Sequence, residues 1–295
     1  MSAQILDGAA LAAVIKEEVR LETITLRERR DVRPGLAFLL VGDNPASRSY
    51  VRSKGRACDT CGFHSTTVEM SAETTQLSVL EQIDAWNLDP DIHGILVQLP
   101  LPAHIDEDKV INAISPRKDV DGFHPVNVGR LVIGQTALRP CTPAGIQELL
   151  VRNGIETDGR RVVIVGRSNI VGKPLANMLM QKGPGANAIV TVAHSGAEDL
   201  AAVTREADIL IVAIGRPAFI TGHMVKEGAV VIDVGINQVD DPDSAKGYRI
   251  VGDVHAESVS AVASALTPVP GGVGPMTIAM LMKNTLLAAQ RSVAG

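Results

Sequence analysis

The chain has 295 residues, of which 45% are hydrophobic and only 2% aromatic, and its 28 basic and 33 acidic residues give a net charge of −5. This length allows two domains, and cores so poor in aromatics must be aliphatic, as in parallel sheets covered by helices. The acidic balance disfavours nucleic-acid and membrane-surface binding, and no apolar run reaches the roughly 18 residues that span a bilayer. With no signal-peptide pattern and three cysteines that form no even disulfide framework, we expect a cytoplasmic protein.

The first half of the chain alternates predicted helices and strands. The helices are expected at 9–30, 47–61 and 74–87, the last capped by Thr74, and the strands at 35–44, 63–70 and 92–102. Strands separated by helices of this length favour right-handed crossovers and a parallel sheet.

The helix at 47–61 carries a lysine on an unexpected face. At about 100° per residue, one face presents small or weakly polar residues together with a lysine: Ser47, Tyr50, Lys54, Cys58 and Cys61. The opposite face presents Arg48, Arg52 and Arg56, which we expect in solvent. Lys54 either extends along the helix to water or serves a buried site.

Cys58 and Cys61 form a CxxC pair, and His64 follows at a spacing that a metal could use. A zinc site needs four ligands, and Cys141 is the only other thiol in the chain. We therefore predict no metal site and interpret both cysteines as packing residues.

The region 115–134 is rich in Gly, Pro and Asp and is predicted to link two domains. The second half then repeats the α/β pattern. Helices are expected at 143–154, 172–182, 197–206 and 275–290, and strands at 161–166, 188–194, 208–215 and 229–237. Asp233 lies inside the last of these apolar strands and needs a buried partner that the sequence does not identify.

The segment 161-RVVIVGRSNIVGKPLANML-179 reads as a strand, a glycine turn and a helix, the setting in which a helix N-terminus holds a diphosphate. Its pattern, Gly166-x-Ser168-x-x-x-Gly172, departs from the usual GxGxxG. The next strand ends in His194 and Ser195 where an NAD site carries an acid, and Arg167 is available for a 2′-phosphate. These features favour NADP; the alternative is a surface arginine and a helix-capping serine.

Three polar residues are candidates for a substrate site in the first half. Lys54 could act as a base if burial lowers its pKa. Gln98 ends the apolar strand 94-GILVQ-98 and could hold that lysine. Asp121 could pair two adjacent N–H donors of a heterocycle.

Seven motifs, in this order along the chain, resemble the bifunctional methylenetetrahydrofolate dehydrogenase/methenyltetrahydrofolate cyclohydrolase family. They are NPASRSYVRSKGRAC at 44–58, GILVQLPLP at 94–102, KDVDGFHPVNVGRL at 118–131, RPCTPAGI at 139–146, VVIVGRSNIVGKPL at 162–175, VIDVGIN at 231–237 and TPVPGGVGPMTIAML at 267–281. The resemblance implies two α/β domains with an active-site cleft between them. A folate-binding catalytic domain would cover 1–139 plus 275–295, and a Rossmann-like, doubly wound parallel-sheet NADP-binding domain 140–274.

The resemblance also assigns roles to single positions. Lys54 matches the catalytic lysine, Tyr50 the tyrosine that packs on the pterin, Gln98 the glutamine that tunes the lysine, and Asp121 the aspartate that anchors the folate. The positions that match cofactor-binding residues are Gly166, Arg167, Ser168, Ser195 and Ile236. Pro270 and Gly271 match residues against the folate and nicotinamide.

The implied activity is oxidation of 5,10-methylenetetrahydrofolate with NADP, followed by hydrolysis to 10-formyltetrahydrofolate. This places the chain in the one-carbon metabolism that supports purine, methionine and histidine biosynthesis, and the family implies a homodimer through the cofactor domains. Three alternatives stay open on sequence alone: a dehydrogenase without cyclohydrolase activity, an NADP-dependent dehydrogenase for a small hydroxy acid, and a non-enzymatic interaction protein.

Overall fold

The computed structural model describes residues 3–244 and 247–293. The strands are β1 Gln4–Ile5, β2 Gly35–Val41, β3 His64–Met70, β4 Gly94–Val97, β5 Arg161–Val165, β6 Ile189–Ala193, β7 Ile209–Val212, β8 Val230–Asp233, β9 Asn237–Asp240, β10 Tyr248–Val251 and β11 Ala265–Leu266. The helices are α1 Gly8–Arg30, α2 Pro45–Cys61, α3 Gln76–Leu88, α4 Glu107–Ala113, α5 Pro125–Val132, α6 Cys141–Arg152, α7 Gly172–Leu179, α8 Leu200–Thr204, α9 Ala256–Ser260 and α10 Val273–Ser292.

The chain divides into two compact units. Residues 3–12 and Thr142–Thr277 form the six-strand unit, and residues Ala13–Cys141 and 278–293 form the three-strand unit. Residues 3–12 group with the six-strand unit because β1 pairs in parallel with β11, with Gln4 opposite Ala265.

The three-strand unit is built around β2, whose seven residues are all buried. Its parallel sheet has the order β3-β2-β4, so the next two strands in the chain, β3 and β4, lie on opposite sides of β2. An extended segment continues this sheet beyond β4, where the Ile95 N–H donates to the Lys118 carbonyl at 2.8 Å. The chain therefore delivers the residues after 118 to the edge of the sheet where β4 ends.

Two local predictions in this unit are corrected. The cap of α3 is Thr75 and not Thr74, because the Thr75 hydroxyl accepts the Ser78 N–H at 3.2 Å. The region 115–134 is not a loose link, since it lies inside the three-strand unit and contains α5, which begins with Pro125 in its first turn.

The six-strand unit contains a parallel sheet of order β1-β11-β8-β7-β5-β6 among the described residues. Its core is aliphatic, as the composition predicts, with Val163, Leu210, Val212 and Val231 at its centre. The order reverses beside β5, and in open α/β sheets ligands bind at the carboxyl ends of the strands at such a reversal. The predicted parallel, Rossmann-like sheet is confirmed.

Some short elements escaped the sequence analysis. They include the helices α4 and α9, the strands β1 and β11, and the antiparallel pair β9 and β10. Within the described part of the chain, no helix combines the length and apolar character needed to cross a membrane.

Candidate active site

Helix α2 turns Lys54 inward, as the spacing predicts. Lys54 is only 5% exposed, and Ser47, Cys58 and Cys61 on the same face are also buried. Tyr50, one turn before the lysine, is partly buried. Burial of an amine on the core side of a helix excludes the interpretation that Lys54 extends to water.

The arginine face of α2 is only partly in solvent. Arg52 and Arg56 are exposed as expected. Arg48 is partly buried and lies 3.3 Å from the Glu69 carboxylate. The Arg48 side chain is still 41% exposed, so it reaches solvent while it pairs with an acidic residue of β3.

The Lys54 amine lies between an amide and an aromatic ring. Its Nζ donates to the Gln98 Oε1 at 3.1 Å and lies 4.4 Å from the centroid of the Tyr50 ring. The Gln98 Nε2 donates to the Leu99 carbonyl at 2.7 Å. Because that bond occupies the nitrogen end of the amide, the oxygen end of Gln98 is the one that faces Lys54. Gln98 itself is half-buried.

Two effects on the pKa of Lys54 oppose each other. Burial lowers the pKa of the Lys54 amine, and the negative charge of Asp121 raises it in part, with a net lowering. Burial also raises the pKa of the Tyr50 hydroxyl to about 12, so that group stays protonated at neutral pH. The site therefore holds an amine whose neutral form is easier to reach than that of an ordinary lysine.

Asp121 follows the extended segment beside β4 and interacts electrostatically with Lys54. Burial raises the pKa of its carboxyl to about 6, the charge of Lys54 lowers it in part, and Asp119 raises it. Among the described residues, no hydrogen bond to the Asp121 side chain is formed. A carboxylate without an internal donor beside a buried amine is available to a ligand.

Asp119 shapes the turn that carries Asp121. It is buried, and it accepts the N–H groups of Phe123 at 3.2 Å and His124 at 2.9 Å and the Asn127 amide at 2.8 Å. Gly122 follows Asp121 with φ of 77°, and a Cβ there would lie 2.5 Å from the backbone of Arg139. The turn is therefore fixed on both sides of Asp121.

Two residues that the sequence analysis did not assign to the site, Cys141 and Asn284, support this turn. The Cys141 thiol donates to the Val120 carbonyl at 3.2 Å, and burial raises the pKa of that thiol well above its usual value. The Asn284 amide donates to the Val120 and Arg139 carbonyls, both at 2.8 Å. The available signal for Asn284 was an amide side chain within the largely apolar helix predicted at 275–290.

Cys58 and Cys61 are buried free thiols. Burial raises the pKa of Cys58 to about 12 and that of Cys61 to about 11, so both are protonated at neutral pH. A thiol that is not deprotonated is a weak metal ligand and a weak nucleophile, which supports their interpretation as packing residues.

The second set of predicted residues lies at the carboxyl ends of β5 and β6. Gly166 directly follows β5 with φ of 126°, and a Cβ there would lie 2.2 Å from the Ala213 carbonyl oxygen, so only glycine fits. The Ser168 hydroxyl accepts the Val171 N–H at 3.1 Å just before α7.

Arg167 and Ser195 follow two neighbouring strands at the same level of the sheet. Val165 of β5 pairs with Ala193 of β6, and Arg167 and Ser195 come two residues after these partners. Both side chains are exposed.

Ile236, Pro270 and Gly271 follow other strands of the same sheet at its carboxyl edge. Ile236 comes three residues after β8 and is 62% exposed. Pro270 follows β11 in a cis peptide bond, and Gly271 has φ of 108°. The Gly271 carbonyl accepts the Ala9 N–H at 2.8 Å, which ties this loop to the start of α1.

These positions fit a pyridine dinucleotide by their chemistry. The turn at Gly166 brings bare backbone to the reversal point of the sheet, an exposed guanidinium and hydroxyl follow it, and an apolar side chain is exposed further along the edge. No acid occupies the end of β6, where an NAD site would carry one.

Two family models match the chain. Residues 6–121 match the tetrahydrofolate dehydrogenase/cyclohydrolase catalytic domain, and residues 140–293 match the NAD(P)-binding domain of the same family. The chain is 56% identical over 294 residues to the bifunctional protein FolD of Dehalococcoides mccartyi strain CBDB1, covering 99% of both chains.

Solved structures agree. The FolD methylenetetrahydrofolate dehydrogenase/cyclohydrolase of Campylobacter jejuni is 47% identical, with a TM-score of 0.92 over 98% of this chain and 99% of that one. The Trypanosoma brucei enzyme, complexed with NADP and an inhibitor, is 42% identical, with a TM-score of 0.95 over all of both chains. With matches along its whole length, the chain belongs to the tetrahydrofolate dehydrogenase/cyclohydrolase family.

Proposed function

We infer that the chain oxidises 5,10-methylenetetrahydrofolate to 5,10-methenyltetrahydrofolate with NADP and hydrolyses that product to 10-formyltetrahydrofolate. The observation that carries this function is the buried Lys54 amine, held by the Gln98 amide and covered by the Tyr50 ring. Family membership along the whole chain supports both activities. Neither the hydroxy-acid dehydrogenase nor the non-enzymatic alternative has support in these findings.

Lys54 acts as the base or proton relay of the hydrolytic step. Water adds to the one-carbon unit of the methenyl cation, and the amine takes up the proton that the water loses. An amine whose pKa is lowered by burial has a neutral form available for this task. The positive charge of the methenyl group next to Lys54 disfavours the ammonium form further, because like charges repel.

Gln98 positions the amine. Its oxygen faces Lys54 because its nitrogen is bound to the Leu99 carbonyl, so it accepts an N–H of either the neutral or the charged amine. The hydrogen bond therefore holds the Lys54 nitrogen in place through a change of protonation state.

Tyr50 and Asp121 bind the folate. The Tyr50 ring offers a flat surface for the pterin. The Asp121 carboxylate has no internal donor among the described residues and, with a pKa of about 6, is mostly ionised at neutral pH. It can accept two adjacent N–H groups of the aminopyrimidine edge, as carboxylates do with other planar double donors.

The six-strand unit holds the cofactor, which supplies the hydride acceptor. Gly166, Arg167 and Ser168 are proposed to hold the diphosphate and ribose region, and Ser195 the 2′-phosphate. Ile236, Pro270 and Gly271 are proposed to contact the nicotinamide side. In this proposal the folate site belongs to the three-strand unit and the NADP site to the six-strand unit.

A second copy of the chain is the proposed partner. Strand β6 ends the six-stranded sheet, and on it Ile189 is 62% and Val192 39% exposed. Exposed apolar side chains on an edge strand are a liability unless another chain covers them. The homodimer predicted from the family resemblance would use this edge.

Sedimentation of Ile189→Lys tests the dimer. We expect monomers for this variant and dimers for the wild type. The matched control is Ile5→Lys, since Ile5 is 56% exposed on β1 at the other end of the same sheet. Equal sedimentation of Ile189→Lys and wild type would contradict a dimer through β6.

We also propose a cytoplasmic location, because Cys58, Cys61 and Cys141 are all free thiols, which persist in a reducing compartment. Fractionation of cells that produce the protein, with activity assayed in each fraction, checks this. Activity recovered outside the cytoplasmic fraction would contradict it.

One spectrophotometric experiment tests the enzymatic function. Methylenetetrahydrofolate is supplied with NADP or with NAD, and methenyltetrahydrofolate is supplied alone in a second cuvette. In the first cuvette we expect NADP to be reduced in preference to NAD. In the second we expect the methenyl absorbance to be lost. Dehydrogenase activity without catalysed loss of methenyltetrahydrofolate would identify a monofunctional enzyme instead.

A further inference from the structure

Two buried carboxylates lie together at the carboxyl edge of the six-stranded sheet. Asp233, the last residue of β8, is 3% exposed, and Asp253 is 0% exposed. Within the described part of the chain, neither carboxylate forms an ion pair. The partner of Asp233 that the sequence could not identify is backbone.

Asp253 joins the segments that follow β7 and β8. Its Oδ2 accepts the N–H groups of Ile214 at 2.7 Å and Gly215 at 3.0 Å. Its Oδ1 accepts the Arg216 N–H and the Asn237 side-chain amide, both at 2.8 Å. One carboxylate thus binds three consecutive N–H groups after β7 and the residue next to Ile236 after β8.

Asp233 in turn holds the segment that carries Asp253. Its Oδ1 accepts the N–H groups of Gly235 and Asp253, both at 2.9 Å, and its Oδ2 accepts the Val254 N–H at 3.0 Å. The two carboxylates therefore form a hydrogen-bond network that connects three loops at one edge of the sheet.

Glycines make room for this network. A Cβ at Gly235 would lie 2.4 Å from the Asp253 carboxyl, and a Cβ at Gly252 would lie 1.8 Å from the Asp233 Oδ2. Neither glycine has a positive φ. The carboxylates occupy the space that a Cβ would need at these positions, so the hydrogen-bond network requires glycine at both.

We propose that Asp253 is a positioning residue for the pyridine dinucleotide, acting through the segments 214–216 and 235–237. This inference rests on the proposed placement of the nicotinamide near Ile236. Ligands of open α/β sheets contact the loops at the carboxyl ends of the strands. Asp253 links two such loops, because it binds the backbone of 214–216 and the Asn237 side chain. A carboxylate can accept several N–H groups at once, which a neutral side chain of the same size does less well.

The bifunctional chemistry provides an internal control. Hydrolysis of methenyltetrahydrofolate requires no dinucleotide and uses Lys54, Gln98 and Asp121 of the three-strand unit. A change confined to the Asp253 network should therefore raise the KM for NADP and leave the cyclohydrolase rate intact. General unfolding would instead reduce both activities together.

The test is Asp253→Asn, with Asp240→Asn as matched control, since Asp240 is exposed on β9 in the same unit. For Asp253→Asn we expect the KM for NADP, and the Kd for NADP measured by calorimetry without folate, to rise about tenfold or more. The cyclohydrolase rate and the KM for the folate should stay within about twofold of wild type.

The outcomes separate the possible failures. A KM and Kd for NADP within about twofold of wild type would overturn the positioning role and leave the proposed function standing. Parallel loss of both activities would also overturn it, by showing a purely structural role. If wild type itself lacked NADP-linked activity, the proposed function would fail first.

Asn237→Ala keeps the test decisive if Asp253→Asn does not fold. It removes one of the four contacts to Asp253 and leaves the three backbone donors in place. We expect a smaller rise in the KM for NADP, of a few-fold, with the cyclohydrolase rate unchanged. No change in the KM for NADP would count against the proposal.

Discussion

The Lys54 amine and the Asp253 carboxylate are both buried, but the protein surrounds them in opposite ways. Among the described residues, Lys54 has one hydrogen-bond acceptor, the Gln98 oxygen, and it also faces the Tyr50 ring. Asp253 accepts four N–H groups, two on each oxygen. A group with unsatisfied capacity can exchange protons with a substrate, whereas a saturated group holds the backbone in place. We therefore expect the loss of Lys54 to lower mainly turnover and the loss of Asp253 to lower mainly stability.

The largest expected effect is on turnover, from Lys54→Met. Cyclohydrolase activity should fall by about 10²- to 10⁴-fold, the usual contribution of a positioned acid or base. The urea midpoint should stay the same or rise, because an apolar side chain of similar length replaces a buried amine.

Loss of methenyl absorbance and urea denaturation measure the two properties. The control is Arg52→Met, which changes an exposed cation on the same helix. If Lys54→Met retained more than about a tenth of the wild-type rate, Lys54 would not be the base or proton relay of the hydrolytic step.

Asp253→Ala should show the opposite pattern. Four N–H groups lose their acceptor, and we expect the six-strand unit to lose about 3 to 5 kcal/mol of unfolding free energy, as when one partner of a buried charged group is removed. Urea unfolding with separate signals for the two units measures this loss. A midpoint equal to that of Asp240→Ala would show that the network is dispensable.

Asp121 lies between these extremes, since it is partly buried and no described residue donates a hydrogen bond to its carboxylate. Asp121→Asn should raise the KM for the folate by about 10- to 100-fold, the range for a lost charged hydrogen bond. The pKa of about 6 sets the pH dependence: below it the carboxyl is protonated and loses acceptor capacity, so the wild-type KM should rise as pH falls through 6.

Initial rates at varied folate concentration and pH measure this dependence. The Asp121→Asn variant, which has no carboxyl to titrate, should lose this part of the pH profile. A wild-type KM that is constant between about pH 5 and 7 would contradict the assigned role.

The smallest expected effect concerns an exposed group. Ser195→Asp puts a carboxylate where the 2′-phosphate is proposed to bind, and we expect kcat/KM for NADP to fall about tenfold while that for NAD changes less. Rates with each cofactor measure the ratio. Equal use of NADP and NAD by the wild type would contradict the proposed roles of Arg167 and Ser195.

Regular patterns made much of the fold predictable. The spacing in α2 placed Lys54 on the buried face, and the apolar run in β2 identified a central strand, because each signal depends only on neighbouring residues. The two-residue strands β1 and β11 were missed, since such short pieces carry no period and form only when distant chain segments meet.

The same distinction applies to the candidate sites. Tyr50 and Lys54 were found from one helical turn, while Cys141 and Asn284 reach the Asp121 turn across long stretches of sequence. Apart from the Asn237 amide, the donors to the Asp233 and Asp253 carboxylates are backbone N–H groups, which no sequence pattern marks. The ion pair of Arg48 was not predicted for a related reason, because its partner Glu69 comes from another element.

Strand β1 has a practical consequence for dissecting the protein. Its pairing with β11 means that the first residues complete the sheet whose other strands begin only at Arg161. A fragment starting at Thr142 would leave the outer side of β11 bare and prone to self-association. Separate production of the dinucleotide-binding half therefore calls for a permuted chain in which the leading dozen residues are fused behind its natural end, or for a synthetic peptide of that stretch added in trans.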